Sequence, residues 1–158
     1  MRCNDGHVRW GRFGAAGVVF VVPAEAVDGA TEPLVMLQLR SGFAHEGGTW
    51  SCAGGALDEG ETPYEGALRE ASEEVGAVDS AGVGEPSLLG QYVFAPADDW
   101  SYTTVVVAVD APFGESLNFE TDAVEWVPVS AVALRPLHAG FAAAWPHLRA
   151  IIASAPLG

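Results

Sequence analysis

Four glutamates in the stretch GALDEGETPYEGALREASEEVGA, residues 55–77, carry the most pointed chemistry in this chain. Glu61, Glu70, Glu73 and Glu74 stand at set distances from Gly55, Arg69 and Gly76, in the pattern G-x5-E-x7-R-E-x-x-E-E-x-G. On a helix turning about 100° per residue, Glu70, Glu73 and Glu74 fall within a sector of roughly 100°. Three carboxylates so placed repel one another, and such a cluster either raises a pKa or holds a cation. Oxygen-only ligands favour a hard ion, Mg²⁺ or Mn²⁺, which takes a few carboxylates together with substrate phosphates and water. A Glu cluster by itself is usually a solvated helix face. Gly54-Gly55, which reads as a Gly-Gly loop, stands ahead of it at this spacing and tips the balance toward a metal site. Arg69 and Glu73, at i and i+4, are close enough to pair.

The local sequence predicts the helix that positions these groups. Thr62-Pro63-Tyr64-Glu65 is a helix start, with Thr62 as N-cap, Pro63 at the first helical position and Glu65 closing a capping box. Gly76 is a natural stop. Tyr64, Leu68, Ala71 and Val75 form the expected buried stripe. Strands are expected at Gly14–Val22 and Leu34–Arg40, as a hairpin across a loop with an Asp28-Gly29 turn. Further strands are expected at Leu88–Phe94 and Tyr102–Val109, around the polar loop 97–101, and at Ala123–Val127. Val129–Ala133 reads as one helical turn. His138–Ala153 reads as a helix that Pro146 would kink or delay. The Gly-rich segment 41–49 leads to Trp50 and the box. Strands on both sides of one helix, with a second helix at the end, imply a mixed sheet between helices.

The 55–77 pattern resembles the Nudix box, with every fixed position filled, and the order of elements resembles that family over most of residues 13–153. The resemblance implies one Nudix domain over 1–158 with an α/β/α sandwich fold. It also implies roles. Glu73 and Glu74 would bind metal, Glu70 would bind metal or help deprotonate water, and Glu61 would support the loop or an outer metal position. Arg69 would orient a box glutamate, and the Gly54 carbonyl would be a metal ligand, with Gly55 beside the substrate. The family's usual Leu-Pro-Gly-Gly is here Cys52-Ala53-Gly54-Gly55, which removes a stiffening proline but no ligand.

Outside the box, Glu120 is a candidate metal ligand or base, with Asp122 and Glu125 as lesser alternatives. Arg40 could hold a phosphate through its planar fork. Phe43, Trp50, Trp100 and Tyr102 are candidates for stacking on a base, although each aromatic alone is more often core. His45 lacks the partner spacing of a zinc site. Cys52 reads as a small buried residue, not a nucleophile.

Composition bounds the partners. The 158 residues carry 21 acidic and 7 basic side chains, a net charge of −14, and all seven basic residues are Arg. That argues against a nucleic-acid polymer or an anionic membrane, both of which need a basic surface. A small phosphate substrate remains compatible, because metal ions at an acidic site invert the local field. No apolar run approaches the length needed to span a membrane. Two cysteines and an N-terminus without an apolar core predict a reduced, cytoplasmic protein, with monomer and homodimer both left open.

The resemblance implies a Mg²⁺- or Mn²⁺-dependent hydrolase cutting the diphosphate of a nucleoside diphosphate linked to another group. A MutT-like nucleoside triphosphate pyrophosphohydrolase is favoured. Hydrolysis of dinucleoside polyphosphates, toward which Tyr92 points, or of ADP-ribose is the alternative. A non-catalytic nucleotide sensor is a third, against which the intact glutamate set argues.

Overall fold

The computed structural model describes residues 13–42, 47–80, 82–118 and 121–157. Among them the chain runs through β1 (Ala15–Val22), β2 (Leu34–Arg40), β3 (Trp50–Ser51), β4 (Ala53–Ala56), α1 (Pro63–Glu74), β5 (Ser87–Ala97), β6 (Trp100–Ala108), β7 (Thr121–Pro128) and α2 (Ala139–Ser154). A 3-10 turn at Val129–Leu134 takes the place of the single helical turn expected there.

β1 is buried along its whole length, as its unbroken apolar sequence requires of a strand covered on both faces. One edge runs parallel to β6, from Ala15 opposite Tyr102 to Val21 opposite Ala108. The other edge is shared. Ala15–Val18 pair antiparallel with β4, whereas Val21 and Val22 pair with Val35 and Leu34 of β2. β2 then continues against β3, Gln38 opposite Ser51 and Leu39 opposite Trp50, and lies along β7 on its far side. β5 lies outside β6. The chain thus crosses from β2 to β1 at Cys52, and the sheet divides there.

Side-chain alternation sorts the strands into two core layers. Ala16, Val18, Phe20, Leu34, Met36, Val105 and Val107 pack with Ala67 and Ala71 of α1 and with Val75 at its C-cap. Val19, Val21, Val35, Leu37 and Val106 pack with Phe141, Trp145, Leu148 and Ile152 of α2. The architecture is the expected α/β/α sandwich around a mixed sheet. No helix among the described residues is long and apolar enough to cross a membrane.

Three local expectations are corrected. The Gly54-Gly55 segment is a strand, because the missing side chains let it lie tight on β1: a Cβ on Gly54 would sit 2.6 Å from the Ala16 carbonyl oxygen and 2.7 Å from Gly17 Cα. The β5–β6 hairpin is longer than expected, and its loop shrinks to Asp98-Asp99. Pro96 is tolerated because β5 is an edge strand with a register shift between Phe94 and Ala97. α2 neither stops nor starts late at Pro146, which lies inside it, and His138 caps the helix by accepting from the Gly140 N–H at 3.1 Å.

α1 begins as its sequence dictates. The Glu65 N–H donates to Thr62 Oγ1 at 3.1 Å, and the Thr62 N–H donates to Glu65 Oε1 at 3.0 Å. Thr62→Ala should therefore lower stability by about 1 kcal/mol. Thermal melts should show that as a loss of about 2–4 °C; an unchanged melting temperature would mean that packing alone sets this end of the helix. The buried stripe is rotated slightly from expectation: Ala71 and Val75 are buried, Tyr64 and Leu68 only partly, and Gly66, Ala67 and Glu74 join the interior.

Candidate active site

β4 delivers Gly54 and Gly55 to one end of α1, and the loop 57–62 turns back onto the helix beside Arg69. Arg69 organises that end. Its Nε donates to Glu61 Oε2 at 2.8 Å and its Nη2 to Glu61 Oε1 at 3.0 Å, a two-pronged pairing that matches its planar fork. Nη2 also donates to the Ala56 carbonyl at 2.9 Å, tying the helix to the end of β4. Nη1 reaches Glu70 Oε1 at 3.0 Å and Glu73 Oε1 at 3.5 Å. Glu61 further accepts from the Asp58 N–H at 2.9 Å, so it braces the loop. Hydrogen bonds from Arg69 and then from Asp58 hold the Glu61 carboxyl below the usual carboxylate range. Glu61 in turn holds the Arg69 guanidinium still more firmly protonated against the opposing effect of partial burial, with Glu70 adding to it.

The Glu70 carboxylate lies against Gly55. A Cβ there would stand 2.5 Å from Glu70 Cδ and 2.7 Å from both its oxygens. Gly55→Ala should therefore push the carboxylate aside at little expense in stability, since the end of a flexible side chain can yield. A displacement of about 1 Å at a reacting group is enough to lower kcat by about 10²-fold. Steady-state kinetics and melts of the purified variant test this; full activity would show that the position of Glu70 is unimportant.

Glu70, Glu73 and Glu74 meet different surroundings on α1. Glu73 points outward with its side chain 58% exposed, whereas Glu74 is 7% exposed and turned into the sheet. There Gln38 of β2 donates Nε2–H to Glu74 Oε1 at 3.0 Å. Consecutive helical residues differ by about 100° in direction, enough to put one outside and the next inside. Among the described residues no three His, Cys, Asp or Glu side chains are gathered as a metal-holding group.

Beneath the Gly17–Gly54 contact lies the Tyr102 hydroxyl, where a Cβ on either glycine would come within 2.5–2.6 Å of it. It is hydrogen-bonded to the Cys52 thiol. Burial above all, then the Glu74 charge, pushes that thiol up to about 12, so Cys52 is a packing residue and not a nucleophile. Burial likewise raises the Tyr102 hydroxyl well above its ordinary value. Tyr102 is therefore a support behind the glycines instead of a stacking platform.

Other candidates sort by the layer they face. Trp50 packs in the α2 layer with the Arg135 guanidinium 4.5 Å over its ring. Glu125 pairs with Arg135 at 2.6 Å. Tyr92 stacks on His147 with ring centroids 4.2 Å apart, away from the box. Arg40 ends β2 two residues beyond Gln38, and its charge reaches the Tyr102 hydroxyl. Asp122 is exposed on β7, and Trp100 opens β6. Phe43, His45 and Glu120 lie outside the described residues. Gln38 was not expected here. The one hint in the sequence is a polar residue where the alternating Leu34–Met36 row should continue apolar.

A NUDIX domain model matches residues 13–148. The chain belongs to the Nudix family. A Mycobacterium tuberculosis protein provisionally named 8-oxo-dGTP diphosphatase 3 is 39% identical over 155 residues, covering 98% of this chain and 70% of that one. A Bifidobacterium longum nucleoside triphosphate pyrophosphatase/Nudix hydrolase fusion protein is 34% identical over 153 residues, 94% of this chain and 30% of that one. The crystal structure of a Nudix hydrolase from M. smegmatis, RenU, superposes with a TM-score of 0.80 at 36% identity, covering 99% of this chain and 95% of that one. The reaction class follows: this Nudix protein is a hydrolase acting on phosphoric anhydrides. Nudix hydrolases use divalent metal ions. The donor set here suits one, being carboxylate and carbonyl oxygen without thiolate or imidazole.

Proposed function

We propose that this Nudix hydrolase is a MutT-like nucleoside triphosphate pyrophosphohydrolase, acting as one domain in the cytoplasm, with an oxidised purine nucleotide of the 8-oxo-dGTP type as the first substrate to examine. The observation that carries the reading is the Arg69 hub. It holds Glu61 and Glu70 at the Gly54-Gly55 end of α1 and leaves Glu73 facing solvent one turn away. The provisional name of the M. tuberculosis relative supports the substrate class.

Glu70, Glu73, Glu74 and the Gly54 carbonyl are the groups that would hold Mg²⁺ or Mn²⁺, with Glu61 at an outer position. Bound there, the cation would neutralise phosphate oxygens and acidify a water molecule. Glu70, seated against Gly55, is placed to orient that water or take its proton. Arg69 holds Glu70 in place through the 3.0 Å hydrogen bond from its Nη1. Gly55 leaves room for phosphate to come close, and Arg40 supplies a positive fork at the end of β2. Glu120 would add a further ligand or base. Water attacks phosphorus, the bridging P–O bond breaks, and a nucleoside monophosphate and pyrophosphate leave. Tyr92, the residue pointing to dinucleoside polyphosphates, is engaged with His147.

Purified protein, assayed with Mg²⁺ or Mn²⁺ against 8-oxo-dGTP, dGTP, diadenosine tetraphosphate and ADP-ribose, tests the reading by chromatography of the products. Pyrophosphate release from 8-oxo-dGTP at the highest kcat/KM supports it. Preference for either of the last two overturns the triphosphate assignment. Binding without turnover would make the chain a nucleotide sensor.

A further inference from the structure

The Gln38–Glu74 pair is a costly arrangement for a core. On β2 the residues facing α1 run Leu34, Met36, Gln38, and on α1 the inward positions include Ala67, Ala71 and Glu74. An amide and a carboxylate therefore meet where two apolar side chains would have continued the layer, and Gln38 is 4% exposed. The amide is also poorly served. Its Nε2 donates to Glu74 Oε1 at 3.0 Å, but its Oε1 is buried with no hydrogen-bond partner. A buried acceptor without a donor calls for a physical explanation. Replacing both members of such a pair by apolar groups is often neutral or stabilising. The pair is thus arranged for the benefit of Glu74 and not for the stability of the layer.

We infer that Gln38 is a positioning residue: its amide anchors one oxygen of Glu74 and so sets how that carboxylate meets a divalent cation. The inference rests on the proposed reading that Glu74 is a metal ligand. Partners behind metal ligands fix ligand orientation, and their loss typically weakens metal affinity by about 10–100-fold. Gln38 lies 36 residues from Glu74 along the chain and outside the Nudix box, and its amide would act on a cation through that carboxylate.

The test is Mn²⁺ binding by isothermal titration, with paramagnetic resonance of free Mn²⁺ as a second measure. It uses wild type, Gln38→Met, Glu74→Gln and the double variant, all without substrate. Gln38→Met keeps side-chain length and removes the amide. It should weaken Mn²⁺ binding by about 10-fold, Glu74→Gln by more. The double variant should match Glu74→Gln alone, because a positioning residue has nothing to position once the carboxylate is gone. Metal-free melts establish that each variant is folded. Should Gln38→Met fail to fold, Gln38→Asn withdraws the amide by one methylene and should weaken binding similarly. Mn²⁺ affinity within twofold of wild type in the Gln38 variant, or the same loss in both backgrounds, overturns the inference. Wild-type affinity in Glu74→Gln overturns instead the reading of Glu74 as a ligand.

Discussion

Arg69→Met should lower kcat by about 10²-fold or more and the melting temperature of the metal-free protein by about 4–8 °C. One guanidinium serves Glu61, Glu70, Glu73 and the Ala56 carbonyl, so its removal acts on the loop, the helix and β4 together. Glu61 and Glu70 are largely sheltered, and leaving sheltered charges without their partner costs about 2 kcal/mol after allowance for remaining solvent contact. Arg69→Lys restores charge without the fork and should recover only part of either loss. The change has a sign in pH as well. The Glu61 carboxyl sits below its ordinary value of 4.5, chiefly through Arg69. Its stabilisation is therefore present above that value and is lost as pH falls through the lowered folded value. Arg69→Met removes the main cause, so the melting-temperature gap between wild type and variant should narrow from about pH 6 to about pH 3. A gap that widens on acidification, or a variant with full activity, would refute the hub.

What was legible in the sequence was what short-range chemistry decides. The capping box at Thr62 and Glu65, the proline at the first helical position and the apolar run of β1 need only neighbours in the chain, and they form as read. The same local logic read Gly54-Gly55 as loop. It could not see β1 waiting alongside, and it is that distant pairing, Gly54 opposite Gly17, that makes the segment a strand. The site divides in the same way. The Arg69–Glu73 spacing follows from helical period, and the contact is present at 3.5 Å. The inward turn of Glu74 depends on Gln38, which the sheet brings to α1 from 36 positions away. Helical period places Glu70, Glu73 and Glu74 near one another but cannot tell which of two adjacent directions faces a neighbour. Tyr102 was similarly ambiguous as an aromatic; two glycines on separate strands decide that its hydroxyl is enclosed.

Glu73→Gln should abolish most hydrolysis while leaving the fold untouched, and this contrast separates catalysis from structure most cleanly. Of Glu70, Glu73 and Glu74 on α1, Glu73 has the least structural work. Its side chain is 58% exposed, and its contact with Arg69, at 3.5 Å, is the longest of the Arg69 pairings on α1. An exposed pair of that kind contributes about 0–1 kcal/mol. Against it stands the repulsion among Glu61, Glu70 and Glu73 around a single guanidinium, which the neutral amide relieves. The metal-free melting temperature should therefore be equal to wild type or higher. Activity should move the other way. If Glu73 helps hold the divalent cation, the amide forfeits a full negative charge at the point where phosphate charge must be stabilised. Loss of one such electrostatic contact lowers kcat by about 10³-fold. Raising Mn²⁺ should recover part of the rate, because weaker binding yields to mass action. Full activity in Glu73→Gln would remove Glu73 from the site. A large fall in melting temperature would recast it as a structural partner of Arg69.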